Sequence, residues 1–229
     1  MGKNEVLETG LWFTRLAEDF RNRLSFNIRH SIFFLLFFFI LLPLSAEIFT
    51  FKADHMTGSR PTGKEITILT GNAEVHSDKL ILQADKIEIQ GNNNEFIDCV
   101  GNVSGREAEK EIFFKTDRLR YDRNLKVARL EGDSTMEDRK NSIVAKGRFI
   151  EYDDQNDSAI FQVGVRLFKD DLVCRGQYAM YRRKEKLLNL SGFPVVFKKR
   201  DEFRADRIRV DLDTNDVAME GAVSGEIKD

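Results

Sequence analysis

From Leu80 to Ile89 apolar and polar side chains alternate, LILQADKIEI, and a shorter alternation, Asn72 to Val75, comes before it. A period of two sends successive side chains to opposite faces of a strand. The polar corner His76-Ser77-Asp78 separates the two runs. Gly91-Asn92-Asn93-Asn94 follows the second, and Gly and Asn accept the positive φ of a tight hairpin turn. Phe96-Ile97-Asp98-Cys99-Val100 then leads into Gly101. Residues 71–101 are therefore predicted to hold three strands and two turns.

The same unit returns along the chain. Glycines stand at 71, 101, 132, 164, 192 and 221, in steps of 30, 31, 32, 28 and 29. A small residue at mid-strand keeps similar time: Ala53, Ala84, Thr116, Gly147, Gly176 and Ala205. Polar turns lie between them: GNNNE, DRNLK, DDQND, RRKEK and DLDTND. A period near 30 residues marks a stacked repeat. Residues 47–70 read as half a unit, and GAVSGEIKD at the end as the first strand of another.

Counting back from the glycines locates the apolar face. Two before each stand Cys99, Leu130, Gln162, Leu190 and Met219; four before stand Ile97, Ala128, Ile160, Leu188 and Val217. The position between holds Asp98, Arg129, Phe161, Asn189 and Ala218. In the other strand of each unit, Leu82, Phe114, Ala145, Cys174 and Phe203 precede the small residue by two. Three and five past it come Ile87/Ile89, Leu119/Tyr121, Ile150/Tyr152, Ala179/Tyr181 and Ile208/Val210. These two sets lie on opposite faces of a regular strand, yet both are apolar. The strand is thus predicted to bulge at the small residue, change face and turn a corner between two sheets. The fold class is all-β: an antiparallel structure of two facing sheets, built from about five repeats, with an apolar interior. The residues expected to line that interior are Leu82, Ile97, Cys99, Phe114, Leu130, Ile160, Leu188, Leu190, Phe203, Val217 and Met219.

Residues 1–46 fall outside the repeat. Ile32 to Leu42, IFFLLFFFILL, is preceded by Arg21, Arg23 and Arg29 and followed by Pro43-Leu44-Ser45-Ala46. A basic region, a short apolar core and a small-residue cleavage site make a secretory signal peptide, and the run is shorter than the roughly 20 residues of a bilayer span. The alternative is an uncleaved inner-membrane anchor. The expected organisation is a signal segment over 1–46 and one β domain over 47–229.

Without 1–46 the chain keeps 31 basic and 34 acidic residues, a net charge of −3. That balance gives no basic footprint for nucleic acid. The sequence has no GxSxG, HExxH or phosphate-binding glycine loop, so an enzyme is not expected. His55 and His76 lack a Cys or second His at metal-ligand spacing. The acids Asp153-Asp154-Asp157 and Asp211-Asp213-Asp216 lack the glycine and closing glutamate of a calcium loop, and Asp is favoured in turns in any case. No metal or cofactor is expected. Cys99 and Cys174 fall on inward positions several strands apart, too far for a disulfide at about 4.8 Å per strand, and are predicted to be buried free thiols. An apolar inner face is the core of any β-sandwich; periodicity does not say whether part of it stays open to a lipid. A closed structural β-solenoid and a polysaccharide binder using tyrosines 121, 152, 178 and 181 remain as other classes.

The recurring pattern resembles the OstA-like domain family. It is carried by Gly71-Asn72-Ala73-Glu74-Val75, by Leu82-Gln83-Ala84-Asp85-Lys86-Ile87-Glu88-Ile89, by Gly101-Asn102-Val103, by Thr116-Asp117-Arg118-Leu119-Arg120-Tyr121 and by Ala205-Asp206-Arg207-Ile208-Arg209-Val210. The resemblance spans roughly Phe51 to Gly225 and departs at Gln162, Gly147-Arg148 and Gly176-Gln177. Members include the periplasmic lipopolysaccharide transport protein LptA, LptC, and the N-terminal part of LptD. A cleaved signal looks most like LptA, and a retained anchor like LptC. The resemblance implies a twisted, partly open β-jellyroll whose interior holds the acyl chains of lipopolysaccharide or a related glycolipid. It also implies a periplasmic location, and edge-to-edge β-augmentation with LptC-like and LptD-like proteins and with further copies of itself.

Overall fold

The computed structural model describes residues 49–59, 65–77, 79–91 and 94–228. The expected signal segment and its cleavage site lie outside these residues. The described part forms β1 (Thr50–Lys52), β2 (His55–Ser59), β3 (Ile66–His76), β4 (Leu80–Gln90), β5 (Phe96–Glu107), β6 (Ile112–Asp122), β7 (Val127–Asp138) and β8 (Ile143–Asp153). These are followed by β9 (Ser158–Lys169), β10 (Leu172–Arg182), β11 (Leu187–Ser191), β12 (Val195–Lys198), β13 (Asp201–Arg204), β14 (Arg207–Asp211), β15 (Val217–Glu220) and β16 (Ser224–Glu226). The described residues contain no helix.

Each strand from β3 to β9 pairs antiparallel with the next, and every one of these pairings slips register near its middle. The slip divides the ladder into two sheets. Sheet I takes β1, the half of β3 next to β4's start, and the matching halves of β4–β10, ending in β12, β13 and β16. Sheet II takes β2, the other halves of β3–β10, then β11, β14 and β15. A single long strand thus belongs to both sheets, as the double apolar set required. In β4, Leu82 and Ala84 are buried before the slip and Ile87 and Ile89 after it. Buried side chains from both sheets make one continuous core.

The corner explains why the glycines and the small mid-strand residues recur in step. Where β3 meets β4, Gly71 and Asn72 together face Asp85; both have positive φ, 75° and 46°. Gly101 and Asn102 repeat this at 80° and 45°. The Asp after Ala53, Ala84, Thr116 and Ala205 lies against the glycine of the following corner. Asp54 and Asp85 accept hydrogen bonds from the amides of Asn72 and Asn102, at 3.0 and 2.9 Å. Asp117 and Asp206 accept from the backbone N–H of Asp133 and Ala222, at 3.0 and 3.2 Å. A β carbon on Gly71, Gly101, Gly132 or Gly221 would stand 2.1–2.4 Å from that carboxylate. Glycine is thus demanded twice, by the left-handed backbone and by the carboxylate over it.

One expectation is corrected. Ile160 does not face the interior. It lies half-buried on the outer side of β9, opposite Glu151 and Met180, while its neighbours Ala159 and Phe161 are each 1% exposed. The bulge pair there is Val163-Gly164, with φ of 64° and 69°, facing Gln177. Val163 holds the place that glycine holds elsewhere, so Gly164 runs one residue late as a marker. The bulge, not the glycine, sets the parity. On β8 the residue facing this bulge is Arg148 rather than the Asp of other units.

Cys99 and Cys174 are buried and unpaired, and burial pushes both thiols up to about 12. Alkylation at neutral pH is expected to leave both untouched in the folded protein and to label both after denaturation without reductant. A folded protein that resists labelling even when denatured, two mass units light, overturns this.

Candidate functional site: the gap between the sheets

The corner closes one side of the sandwich. On the other side the hairpin turns of the two sheets meet, and their contact is ionic. Lys110, in the β5–β6 turn of sheet I, places its Nζ 2.6 Å from Asp154 and 3.1 Å from Asp157, both in the β8–β9 turn of sheet II. Arg183, in the β10–β11 turn of sheet II, reaches back to Asp138 at the end of β7, with Nε 2.8 Å from its carboxylate. The same guanidinium donates to the Lys110 carbonyl at 2.8 Å and lies 3.5 Å from Asp157. The Tyr181 hydroxyl donates to Asp138 at 3.0 Å, and the Tyr152 hydroxyl to Asp157 at 3.1 Å. The side chains of Arg183, Asp138 and Asp157 are 9%, 1% and 4% exposed. Buried charges persist only when paired and hydrogen-bonded, so these groups form a clasp that ties the two rims together at mid-molecule. Burial pushes the Asp157 carboxyl up, but the ammonium of Lys110 and the guanidinium of Arg183 outweigh it and hold it below the usual carboxylate range.

On the N-terminal side of the clasp a cavity of 240 Å³ lies between the rims. Sheet I contributes Leu80, Leu82, Ile112 and Phe114, and sheet II contributes Leu119, Tyr121, Ala128 and Tyr152. Lys79, Arg123 and Lys126 stand with Glu107 and Asp154 around it. An apolar floor with a charged margin suits an amphiphile: tail inside, polar end at the rim. Phe114 shapes the floor. Its ring atoms lie 2.0–2.9 Å from where a β carbon on its register partner Gly105 would be, so the missing side chain lets the ring lie flat on the sheet.

Of the residues expected to face inward, Leu82 and Phe114 line the cavity. Ile97, Cys99, Leu130, Leu188 and Leu190 are buried in the core beside and beyond it. Phe203, Val217 and Met219 are half-buried against the core near the C-terminal end. Leu80 and Ile112 belong to the cavity but precede the positions the repeat marks, whereas Leu119, Tyr121, Ala128 and Tyr152 stand on marked apolar positions and line it too. Nothing in the sequence flagged the clasp, because Asp157 and Arg183 look like ordinary turn residues. Tyr152 and Tyr181 are inside with their hydroxyls engaged, which removes them from any exposed aromatic ladder. The acids at Asp153 and Asp211 accept backbone N–H groups of their own turns. Among the described residues no group of three or more His, Cys, Asp or Glu is placed to hold a metal. No helix among them is long and apolar enough to cross a membrane.

No curated protein matches the sequence significantly. Among solved structures the chain is similar to LptH, described as the LptA homologous periplasmic component of the lipopolysaccharide transport device of Pseudomonas aeruginosa. The identity is 13%, over 80% of this chain and 96% of that one, with a TM-score of 0.24. The sequence profile of the family described as OstA-like protein matches residues 45–201. That span takes in the repeated Ala-Asp and Gly-Asn corners, the cavity and the clasp, and the chain belongs to the OstA-like protein family.

Proposed function

We propose that this protein carries lipopolysaccharide or a related glycolipid through the periplasm, holding its acyl chains between the two sheets and passing it on without release to water. The observation that carries this reading is the cavity between the rims, apolar within and charged at its margin, in a chain of the OstA-like family. Acyl chains entering it leave water with a gain of about 25 cal/mol per Å² of apolar surface buried. The reading is that of a carrier rather than an enzyme, and energy and direction come from its partners. Residues 1–46 act as the export signal, with an uncleaved anchor as the alternative. Among the described residues β1 and β16 end sheet I, and β2 and β15 end sheet II, each pairing on one side only. Such edges accept a further strand, so LptC-like and LptD-like proteins, or another copy, extend the sheets into a bridge.

A photo-crosslinking side chain at Phe114 or Leu119 is expected to capture the glycolipid in cells that make it. The same group at Arg120 or Arg129, on the outer face of sheet II, is expected to capture none. Equal capture on both faces means surface adsorption. No capture at either inward site leaves a closed core and removes the transport reading.

A further inference from the structure

The outer face of sheet I carries two neighbouring rows that the proposed lipid path does not use. Strand register places Lys115, Thr135, Lys146, Arg166, Arg175, Val195 and Arg204 directly opposite one another in sequence across the sheet. Lys146, Arg166 and Arg175 are consecutive, exposed, and without an intervening acid. Like charges directly opposite in a sheet are destabilising. Lys146 and Arg166 make no ion pair with any described residue, and Arg175 only stacks on Phe197, its guanidinium 5.0 Å from the ring centre. Arg148 enlarges the cluster: with Lys146 and Arg166 it borders a shallow hollow on which the only acid is Asp133.

Two residues along each strand lies the second row, Val144, Phe168, Val173 and Phe197, likewise in direct register and bounded by Glu137 and Glu202. Phe168 is 37% exposed, and the other three are half-buried. A sheet face normally turns polar side chains to solvent. Here an apolar row runs alongside a cationic one, with the charges about 5 Å apart from strand to strand.

We propose that this face of sheet I rests on a membrane surface rich in anionic lipid. Phosphate headgroups meet Lys146, Arg148, Arg166 and Arg175, and the row that holds Phe168 and Phe197 settles at the headgroup boundary. The choice of a lipid surface over an acidic protein follows from the pairing of the rows. Evenly spaced cations beside an aliphatic and aromatic row match a surface that is anionic outside and apolar just beneath. A protein carrying phosphate-binding cations alone has no use for the apolar row. The contact would hold the carrier at a membrane while its interior stays free.

The test is cosedimentation of the full chain with vesicles free of any glycolipid. Vesicles of phosphatidylethanolamine and phosphatidylglycerol in equal parts are compared with vesicles of phosphatidylethanolamine and phosphatidylcholine. The expected result is binding to the first that weakens with salt. The Lys146→Glu/Arg166→Glu/Arg175→Glu variant should show a fall of roughly a hundredfold in partition coefficient. Comparing variant with parent cancels any contribution from the apolar run at 32–42, which both carry. Lys146→Gln/Arg166→Gln guards against misfolding: it relieves the repulsion, so it should bind weakly while melting no lower than the parent. Equal binding of parent and charge-reversed variant overturns the proposal. So does indifference to headgroup charge, or capture of an acidic protein on this face by a chain that ignores vesicles. Glycolipid crosslinking inside the sandwich is a separate measurement and is unaffected by any of these results.

Discussion

Replacing Arg183 with methionine is expected to cost about 3–5 kcal/mol of stability, because it strands buried charge. Asp138 and Asp157 stay in place, at 1% and 4% side-chain exposure, without the guanidinium that neutralises them. At about 2–4 °C per kcal/mol for a domain of this size, the melting temperature should fall by about 6–20 °C. Thermal unfolding followed by circular dichroism measures it. The double variant Arg183→Met/Asp138→Leu should recover part of the loss, since a buried ion pair replaced whole by apolar side chains is often neutral. A drop of under about 1 kcal/mol for Arg183→Met would show that the cluster behaves like a solvated surface pair and does not clasp the rims. The pH dependence has a definite sign. Asp157 has its folded pKa held below its unfolded value. Its contribution is therefore complete above about pH 4, and it is lost as the pH falls through the lowered folded value. Acid should loosen the clasp first, and with it the rim beside the cavity.

The second large effect separates two neighbouring residues. Phe161→Ala should cost about 3–5 kcal/mol, the range for emptying a phenylalanine site in a packed core. Ile160→Ala should cost under about 1 kcal/mol, as a change on the solvent side of a strand. Chemical denaturation of the two variants gives the comparison directly. If Ile160→Ala proves the more damaging, Val163-Gly164 does not shift the face of β9, and Gly164 marks the unit as its sister glycines do. The expected result bears on function too, since it assigns Phe161 and not Ile160 to the interior.

The repeat was legible because it is enforced locally. Gly71 and Gly101 cannot be replaced without strain at positive φ and a collision with Asp54 or Asp85, so glycine and aspartate recur in step and advertise the corner. The change of face inside one strand was legible as well. Leu82 and Ala84 on one parity, and Ile87 and Ile89 on the other, fit no flat strand. At Val163 the sequence misled, because a β-branched residue occupies a backbone conformation that such residues rarely adopt. Only the register of β9 against β8 and β10 reveals that the bulge begins one residue before Gly164. The thiols of Cys99 and Cys174 were placed correctly by counting strands.

The chain's alternation, its 30-residue period and its small residues at mid-strand specify two antiparallel sheets joined at a bulged corner. These depend on neighbours in sequence and on a pleat whose alternation breaks only at the bulge. The cavity and the clasp depend on what meets across the gap between sheets. Lys110 and Arg183 are 73 residues apart, and each looks like a solvated turn residue until the sheets fold over and bring the turns together. The same holds for the outer cationic row, whose members Lys146, Arg166 and Arg175 lie on three strands and become a row only through register. Periodicity fixes which side of a strand is apolar. It says nothing of how widely two sheets part at the rim, because that spacing is set by side chains of opposite sheets packing and pairing with one another.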